Sequence, residues 1–349
     1  MDMTTKAEGF QYLEDIATAA WYGEALFLAV EKELFAFGDE EHTVEEYSRY
    51  LGFEPEAAHR YLLSLEAMGL LKSHGRSFVN APLAREYLVP QSRHYQGHSI
   101  LWRRKLCRGW QNLENTLTAG GRTDFPVDDD ESAIKERFRH YSFAMDDIAR
   151  CKGTEIADFC PVEITNARIL DVGSGLGAVS RSFLERWPDA TATFADMGEV
   201  MDLCQEVLPE TILRRVRRCA FNVLEPWKTL AGETFDLIIM SNIVHAFDKD
   251  DNLALMGRVA EHLSDDGLVL IHDFFRGHWN AKAAMLDLNM LLNTYNGRVF
   301  ALEDIHDIVR AHGLYHTGLL PLPSDTALIA AAKKRETLIP WEEKGRETP

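Results

Sequence analysis

The stretch from Ile169 to Ala178 constrains the fold more than any other part of the sequence, because an apolar run leads directly into a glycine-rich turn. Glycine occupies positions 173, 175 and 177, and apolar residues recur at helical spacing after the turn. This pattern predicts a strand, a tight turn and a helix. Glycine lets the backbone turn sharply and lets a ligand lie against the main chain. The helix would offer free N–H groups to an acidic ligand, which favours a small nucleoside-containing cofactor.

Two classes of cofactor fit this turn. Gly173, Gly175 and Ala178 also satisfy the pattern typical of dinucleotide-binding proteins. Two acids favour S-adenosylmethionine over NAD: Asp171 stands just before the turn, and Asp196 ends a second short apolar strand. A carboxylate in the position of Asp196 can accept both ribose hydroxyl hydrogens. In addition, the segment that follows an apolar strand over residues 235–240 looks like that of small-molecule methyltransferases. We therefore expect S-adenosylmethionine as the cofactor, with both acids in its site.

Composition limits the classes of partner. The 349 residues have room for about two domains, and a formal net charge of -18 opposes a broad nucleic-acid surface. No apolar run reaches the roughly 18 residues of a membrane span, and the first residues lack the order of a signal peptide. The five cysteines are scattered and fit neither a disulfide framework nor a metal site, which indicates a reducing cytoplasm. We expect a cytoplasmic protein acting on a small molecule, with no nucleic-acid, membrane or metal partner.

The first part of the chain predicts an interaction domain. Residues 10–37 have a broad apolar face at helical spacing, which fits packing either against another subunit or within the chain. A helix, a turn, a second helix and a hairpin follow by residue 80, which is the layout of a winged helix. A DNA-reading helix needs basic and amide side chains, but Glu54 and Glu56 stand at the start of the second helix. We interpret this winged helix as structural and as serving dimerisation.

In the second part of the chain, strands alternate with helices after a linker rich in glycine and aspartate. The alternation predicts the α/β class with a mainly parallel, doubly wound sheet. We expect a winged-helix-like dimerisation domain over residues 1–120, a Rossmann-like methyltransferase domain over 132–333, and a loose charged tail over 334–349. Tyr141 and Met145 share a stripe on a helix from Ser132, where they either pack in the core or form a lid over cofactor and substrate.

Together these features resemble the plant-type small-molecule O-methyltransferases, a family that includes caffeate and acetylserotonin O-methyltransferases and bacterial antibiotic-tailoring enzymes. The resemblance runs from about Phe10 to Lys333. It implies a homodimer that transfers a methyl group from S-adenosylmethionine to a hydroxyl of a small, aromatic metabolite. The cofactor contacts that it implies are Gly173, Gly175, Asp196, Met197, Asn222, Val223 and Ser241. The substrate contacts that it implies are Tyr141, Met145, Leu286, Asn289, Met290 and Thr294. The family often has Asp where this chain has Asn222, and Lys where it has Ser241.

The resemblance also implies a catalytic pair. His245 matches the family's general base, and Asp273 matches a Glu that orients this base. An imidazole titrates near neutrality and can take the proton of a phenol as the methyl group arrives, which is worth roughly 10²–10⁴-fold in rate. The alternative for His245 is a surface histidine at a strand end, and we interpret His272 as structural. The family's second supporting Glu aligns with Val299, so one acid alone supports the base.

Other functions stay open at this point. They are methylation of a carbon or nitrogen atom, a cofactor-bound relative that no longer methylates, and a winged-helix regulator with a ligand-sensing domain. The acidic start of the predicted recognition helix argues against the regulator.

Overall fold

The chain divides into two compact units, one ending at Arg108 and the other beginning at Gly109. This division is taken from a computed structural model that describes residues 9–123 and 130–347. The predicted domain limits at residues 120 and 132 stay predictions. Residues 124–129 of the predicted linker lie outside the described residues.

The first unit contains the predicted helix, turn, helix and hairpin. Its elements are α1 (Phe10–Glu31), α2 (Leu34–Phe37), β1 (His42–Thr43), α3 (Val44–Leu51), α4 (Pro55–Ala67), β2 (Leu71–His74), β3 (Ser77–Asn80), α5 (Pro82–Tyr87) and α6 (Gly97–Trp110), which crosses the limit between the units. The three strands pair in the order β1-β3-β2. Thr43 and Glu46 form a reciprocal cap at the start of α3, which fixes where this helix begins. The helical spacing over residues 10–37 predicts helix throughout, but the structure has two helices there, since Glu33 takes a φ of 53° and separates α1 from α2.

The second unit alternates strands and helices as predicted. Its elements are α7 (Leu113–Ala119), α8 (Glu131–Phe159), β4 (Arg168–Val172), α9 (Ala178–Arg186), β5 (Thr191–Asp196), α10 (Gly198–Val207), α11 (Glu210–Leu213), β6 (Val216–Ala220), β7 (Phe235–Ser241), α12 (Lys249–His262), β8 (Leu263–Asp273), α13 (Asn280–Asn293), α14 (Leu302–Arg310), β9 (Tyr315–His316), β10 (Leu320–Pro321), β11 (Ala327–Ala332) and α15 (Ile339–Glu347). Short 3-10 helices cover Lys228–Leu230, Val244–Ala246 and Arg335–Leu338.

The large sheet has the strand order β10-β11-β8-β7-β4-β5-β6, and β9 pairs with β11. The pairs among β8, β7, β4, β5 and β6 are parallel, whereas β11 is antiparallel to β8 and β10. This confirms the predicted doubly wound, mainly parallel sheet with a final pair of strands. The chain runs from β4 outward to β5 and β6, then returns to β7 on the other side of β4. The carboxyl ends of β4 and β7 therefore flank a topological switch point, which is where such sheets bind ligands.

Alternating side chains on the strands fill one apolar core on each face of the sheet. On β8, Leu268 and Leu270 pack in one core, whereas Val269 and Ile271 pack in the other. The first core includes residues of α8, α9 and α15, and the second includes residues of α12 and α14. Because successive strand residues point to opposite faces, the last two residues of β8 lie on opposite sides of the sheet.

The end of the described chain is ordered, contrary to the expected loose tail. Trp341 on α15 is fully buried, and its ring lies 6.3 Å from that of Phe159. Leu338 is buried in the same core. The charged composition of this segment predicts a loose tail, but the side chains of Leu338 and Trp341 pack it against the sheet. The expectation is therefore wrong for residues 335–347.

None of the helices within the described ranges combines the length and the apolar character that crossing a membrane requires. The five cysteines are free, and Cys160, Cys204 and Cys219 are buried.

Candidate active site

The three glycines of the turn differ in how much space surrounds the position that a Cβ atom would occupy. Gly173, Gly175 and Gly177 have φ values of 68°, 54° and 73°, in the left-handed region that favours glycine. A Cβ on Gly177 would lie 2.0 Å from the Phe194 ring, and one on Gly173 would lie 2.2 Å from Ile243 Cδ1. A Cβ on Gly175 would meet nothing within 4 Å. Packing therefore explains two of the glycines, whereas Gly175 faces open space in which a ligand can lie.

Asp196 closes the turn from the end of β5. Its Oδ2 accepts the Gly175 N–H at 2.8 Å, and its Oδ1 accepts the Met197 N–H at 2.7 Å. Burial raises the pKa of Asp196, although the two N–H groups lower it. Each oxygen keeps a second acceptor position. The carboxylate is thus held in place with capacity left for two hydroxyl donors, which fits a ribose.

Asp171 lies deeper than the turn. Its carboxylate is 2% exposed and accepts the Ser180 hydroxyl at 2.6 Å, which joins β4 to α9. Burial raises the pKa of Asp171 to about 6. The structure therefore places this residue beneath the turn, where it stabilises the strand–helix unit, and its predicted contact with the cofactor stays a prediction.

The loop after β6 supplies the next predicted contacts. Asn222 Oδ1 accepts the Leu224 N–H at 3.0 Å, so the side chain stabilises its own turn. The Val223 carbonyl accepts the Trp227 indole N–H at 3.0 Å, and Val223 is buried. The carboxyl ends of β4, β5, β6 and β7 form one edge of the sheet, and the predicted residues lie along this edge.

His245 and Asp273 form a close pair. His245 Nδ1 lies 2.6 Å from Asp273 Oδ1, and the His245 backbone N–H reaches Oδ2 at 3.3 Å. A carboxylate can only accept, so in the neutral ring Nδ1 carries the hydrogen and Nε2 keeps its lone pair. Burial lowers the pKa of His245, but the charge and the hydrogen bond of Asp273 outweigh it and raise the pKa overall. The His245 side chain is 16% exposed and that of Asp273 is fully buried, so a small molecule can reach the imidazole but not the carboxylate.

Hydrogen bonds from Asn252 and Arg298 hold the loop that carries His245. The Asn252 amide donates to the carbonyls of Val244 and Asp248, each at 2.8 Å. The Arg298 N–H donates to the His245 carbonyl at 2.9 Å. Val299 is fully buried, and its backbone N–H donates to Asp287. Asp273 is the acid that contacts the His245 ring.

Ser241, at the end of β7, contacts the residue next to Asp273. Its hydroxyl lies 2.8 Å from His272 Nδ1, and His272 Nε2 lies 2.8 Å from the Thr326 hydroxyl. His272 is fully buried, and burial lowers its pKa to about 4. His272 is therefore neutral at physiological pH and joins the two hydroxyl groups.

The predicted substrate residues come from two helices. Tyr141 and Met145 lie on α8, one turn apart. Loss of solvation, with the charge of Asp196 as the second cause, raises the pKa of the Tyr141 phenol. The others, Leu286, Asn289, Met290 and Thr294, lie on α13 or at its end. Thr294 supports the neighbouring loop, since its hydroxyl donates to the Met290 carbonyl and accepts the Gly297 N–H.

The Asn289 amide has a fixed orientation that no local sequence pattern predicts. Its Oδ1 lies 3.2 Å from the Trp110 indole nitrogen and 3.0 Å from Asn293 Nδ2. An indole nitrogen can only donate, so the atom beside it must be the oxygen. The Asn289 Nδ2 group therefore points away from both partners as a donor. Trp110 lies 179 positions from Asn289 in sequence, and no local pattern connects them.

Within residues 9–123 and 130–347, no group of three His, Cys, Asp or Glu side chains is placed to hold a metal ion.

The site features fit a nucleoside cofactor that also carries an amino acid. Asp196 offers two fixed acceptors, Gly175 borders open space, and the buried Asn242 Oδ1 beside Ser241 has no donor among the described residues. A ribose supplies two hydroxyl donors, and the methionine end of S-adenosylmethionine supplies an ammonium donor. The donors and acceptors of these residues therefore suit this molecule.

Comparison with known proteins identifies the family. The chain matches the family model of an O-methyltransferase domain over residues 114–315, which is more than half of its length. It is 27% identical over 319 residues to a 3-hydroxy-5-methyl-1-naphthoate 3-O-methyltransferase of Streptomyces sahachiroi, covering 86% of this chain and 88% of that protein. It is 26% identical over 301 residues to a tetracenomycin polyketide synthesis 8-O-methyltransferase of Streptomyces glaucescens, covering 81% and 85%.

The fold agrees with a solved member. Human N-acetylserotonin methyltransferase in complex with S-adenosylmethionine superposes with a TM-score of 0.81 at 18% identity, covering 95% of this chain and 99% of that chain. The predicted cofactor, fold class and enzyme class are confirmed. With the glycine turn, Asp196 and the histidine–aspartate pair at one edge of a doubly wound sheet, the chain belongs to the O-methyltransferase family and uses S-adenosylmethionine to methylate a hydroxyl group of a small molecule.

Proposed function

We propose that His245 is the general base of this methyl transfer and that Asp273 orients it. The observation that carries the proposal is the 2.6 Å contact between His245 Nδ1 and Asp273 Oδ1, because it places the hydrogen of the neutral ring on Nδ1 and leaves the lone pair on Nε2. S-adenosylmethionine supplies an electrophilic methyl group when it is bound. His245 Nε2 takes the proton of the acceptor hydroxyl, and Asp273 stabilises the imidazolium that forms.

The cofactor site that we propose comprises the turn and the strand ends beside it. Asp196 binds the ribose hydroxyls, Asn222 and Val223 border the adenine, and Met197 covers one side. Gly173 and Gly175 let the ligand lie against the main chain. Calorimetry should give heat with S-adenosylmethionine or S-adenosylhomocysteine and none with NAD. Gly175→Val should abolish this heat, because its side chain would fill the space that Gly175 leaves open. Binding of NAD by the wild-type protein would contradict this assignment.

We propose that the acceptor is a phenol on a small planar aromatic molecule that also carries a hydrogen-bond acceptor. Leu286 and Met290 supply apolar surface on α13, and Tyr141 and Met145 supply it on α8. Asn289 supplies one oriented donor. The relatives named above act on a naphthoate and on a tetracenomycin polyketide, which agrees with this chemistry.

A panel of small acceptors tests this proposal. Methyl transfer from labelled S-adenosylmethionine should be measured with a hydroxynaphthoate, with naphthol, and with a saturated alcohol of similar size. We expect turnover with the two phenols and none with the alcohol. Asn289→Leu should raise KM for the hydroxynaphthoate and leave KM for naphthol unchanged, since naphthol has no carboxylate for Nδ2 to bind. Equal turnover of the saturated alcohol would contradict a phenolic acceptor.

We also propose a cytoplasmic homodimer that forms through residues 10–37. Large apolar side chains on α1 are exposed in the single chain: Phe10, Leu13, Ile16, Trp21 and Tyr22. An interface of obligate size would bury more than ~2,000 Å² and would cover them. Light scattering at micromolar concentration should give twice the mass of one chain, and Trp21→Glu should lower it. Ile339→Glu, at an exposed apolar residue on α15, serves as the control. A monomer mass for the wild-type protein would contradict the dimer.

A further inference from the structure

Ser241 lies beside the glycine turn. Ile239 on β7 pairs with Asp171 on β4, so Ser241 and Gly173, two positions further along each chain, lie side by side at the carboxyl edge. Ile243 confirms this proximity, because it occupies the space next to Gly173. Ser241 is half-buried, and its hydroxyl has one protein contact among the described residues, His272 Nδ1. Its remaining hydrogen-bonding capacity is free for a ligand in the turn.

The hydrogen-bond chain behind Ser241 ends at two charged groups. The Lys152 ammonium donates to the Ser324 hydroxyl oxygen and to Asp325. The Ser324 hydroxyl in turn contacts the Glu155 carboxylate, which can only accept. The single hydrogen of Ser324 is therefore committed to Glu155. Thr326, whose hydroxyl lies 3.4 Å from that of Ser324, can only donate to it.

Together these contacts give one consistent direction for each hydrogen bond up to the cofactor site. Because Thr326 donates to Ser324, its oxygen accepts the hydrogen of His272 Nε2. His272 is neutral, since burial lowers its pKa to about 4, so its Nδ1 has no hydrogen and accepts from Ser241. The Ser241 hydroxyl hydrogen is thus directed inward. What Ser241 presents to the turn is an oxygen lone pair, which makes it an acceptor and not a donor.

An acceptor at this position selects one end group of the cofactor. The methionine end carries an ammonium group, which can only donate, and a carboxylate, which can only accept. Asn242, the next residue, has a φ of 53° and a buried Oδ1 that receives no hydrogen bond from any described residue. The side-chain oxygens of Ser241 and Asn242 therefore lie at the same edge of the sheet, and each can accept a hydrogen bond from a ligand.

We propose that Ser241, held as an acceptor by His272 and Thr326, binds the α-ammonium group of S-adenosylmethionine, with Asn242 Oδ1 as a second acceptor. The proposal rests on the cofactor site proposed above. It assigns His272 and Thr326 as positioning residues that act through Ser241.

Calorimetry with four ligands tests the proposal. They are S-adenosylhomocysteine, its decarboxylated analogue, its deaminated analogue, and methylthioadenosine, which has neither charged group. Ser241→Ala should weaken the two ligands that keep the amine by about tenfold or more, the usual effect of a lost hydrogen bond to a charged group. It should leave the deaminated analogue and methylthioadenosine unchanged.

Further variants separate binding from folding. Asn242→Gly removes the amide but keeps a residue that tolerates positive φ, and it should weaken the same two ligands. Thr326→Val should weaken them less, because it frees the His272 tautomer without removing the Ser241 oxygen. Ser264→Ala, at the opposite end of β8, is the matched control and should bind all four ligands like the wild type. Thermal unfolding of each variant would confirm that the fold is kept.

Several outcomes would overturn the inference. If Ser241→Ala weakens the deaminated analogue and spares the decarboxylated one, Ser241 is a donor to the carboxylate and the deduced direction is wrong. If it weakens all four ligands equally, or none, Ser241 does not contact the methionine end. If the wild-type protein binds none of the four, the proposed cofactor site fails as a whole, and that result is distinct from the others.

Discussion

His245 and His272 lie near the ends of neighbouring strands, yet their pKa values shift in opposite directions. His245 faces Asp273 at 2.6 Å, and this carboxylate raises its pKa against the effect of burial. His272 precedes Asp273 on β8 but points to the other face of the sheet, where it contacts the hydroxyls of Ser241 and Thr326. Burial is then unopposed by a direct ion pair and lowers its pKa to about 4. Both side chains are imidazoles, and the group that each one contacts decides whether its charged form is stabilised.

The difference in pKa fits the two tasks that we propose for these rings. A ring that must take a proton benefits from a carboxylate that stabilises its charged form. A ring that must fix the direction of a hydrogen bond benefits from staying neutral, because only the neutral form has one donor and one acceptor. Successive residues of a single strand provide both environments, since β8 exposes His272 and Asp273 to opposite faces.

Replacing His245 should give the largest effect. His245→Gln should lower turnover on a phenolic acceptor by roughly 10²-fold or more, because the proton acceptor is lost. Affinity for S-adenosylhomocysteine should stay the same, and the rate should rise only where the phenol itself ionises. His74→Gln, at an exposed histidine of the first unit, is the control. Near-normal turnover of His245→Gln would show that the comparison assigns the base to the wrong ring.

Acid should destabilise the protein through His272. Its folded-state pKa of about 4 lies below the usual ~6.5, so the unfolded chain binds the proton more readily. The stability that His272 contributes is present above pH ~6.5 and is lost as the pH falls towards 4, by on the order of 3 kcal/mol. Denaturant unfolding of wild type and His272→Gln should converge as the pH is lowered. A difference in unfolding free energy that does not change with pH would mean that His272 does not titrate in this range.

Asp273→Asn should make the two rings alike. Without the carboxylate, burial alone acts on His245, so its pKa should fall and the rising limb of the pH–rate profile should move to lower pH. Turnover should fall by about tenfold, less than for His245→Gln, because the base remains but is less well oriented. No second acid stands at Val299 to compensate. A pH–rate limb that does not move would show that Asp273 does not set this pKa.

A smaller effect should come from a polar contact outside both histidine clusters. Trp110→Phe removes one of the two donors that hold Asn289 Oδ1. KM for a hydroxynaphthoate should rise about two- to tenfold, the usual worth of a neutral hydrogen bond. Turnover at saturation and affinity for S-adenosylhomocysteine should not change. A loss of turnover instead would place Trp110 in the support of the base.

Local patterns were enough to predict the framework of the site. The glycine turn, the acid at the end of β5 and the alternation of strands and helices are all encoded within short stretches, and the sheet and the family confirm them. Asp196 ends β5 and the segment with His245 follows β7, so both were expected at the edge where the carboxyl ends of parallel strands meet.

What local patterns could not provide depends on contacts between distant residues. The charged composition of the last residues did not predict that Trp341 is buried, because its burial depends on a core built from α8 and the sheet. The orientation of Asn289 depends on Trp110, and the tautomer of His272 depends on Lys152 and Glu155 through Ser324. A donor or acceptor becomes fixed only when a partner limits its choices. In this protein, folding brings those partners together across more than a hundred residues of sequence.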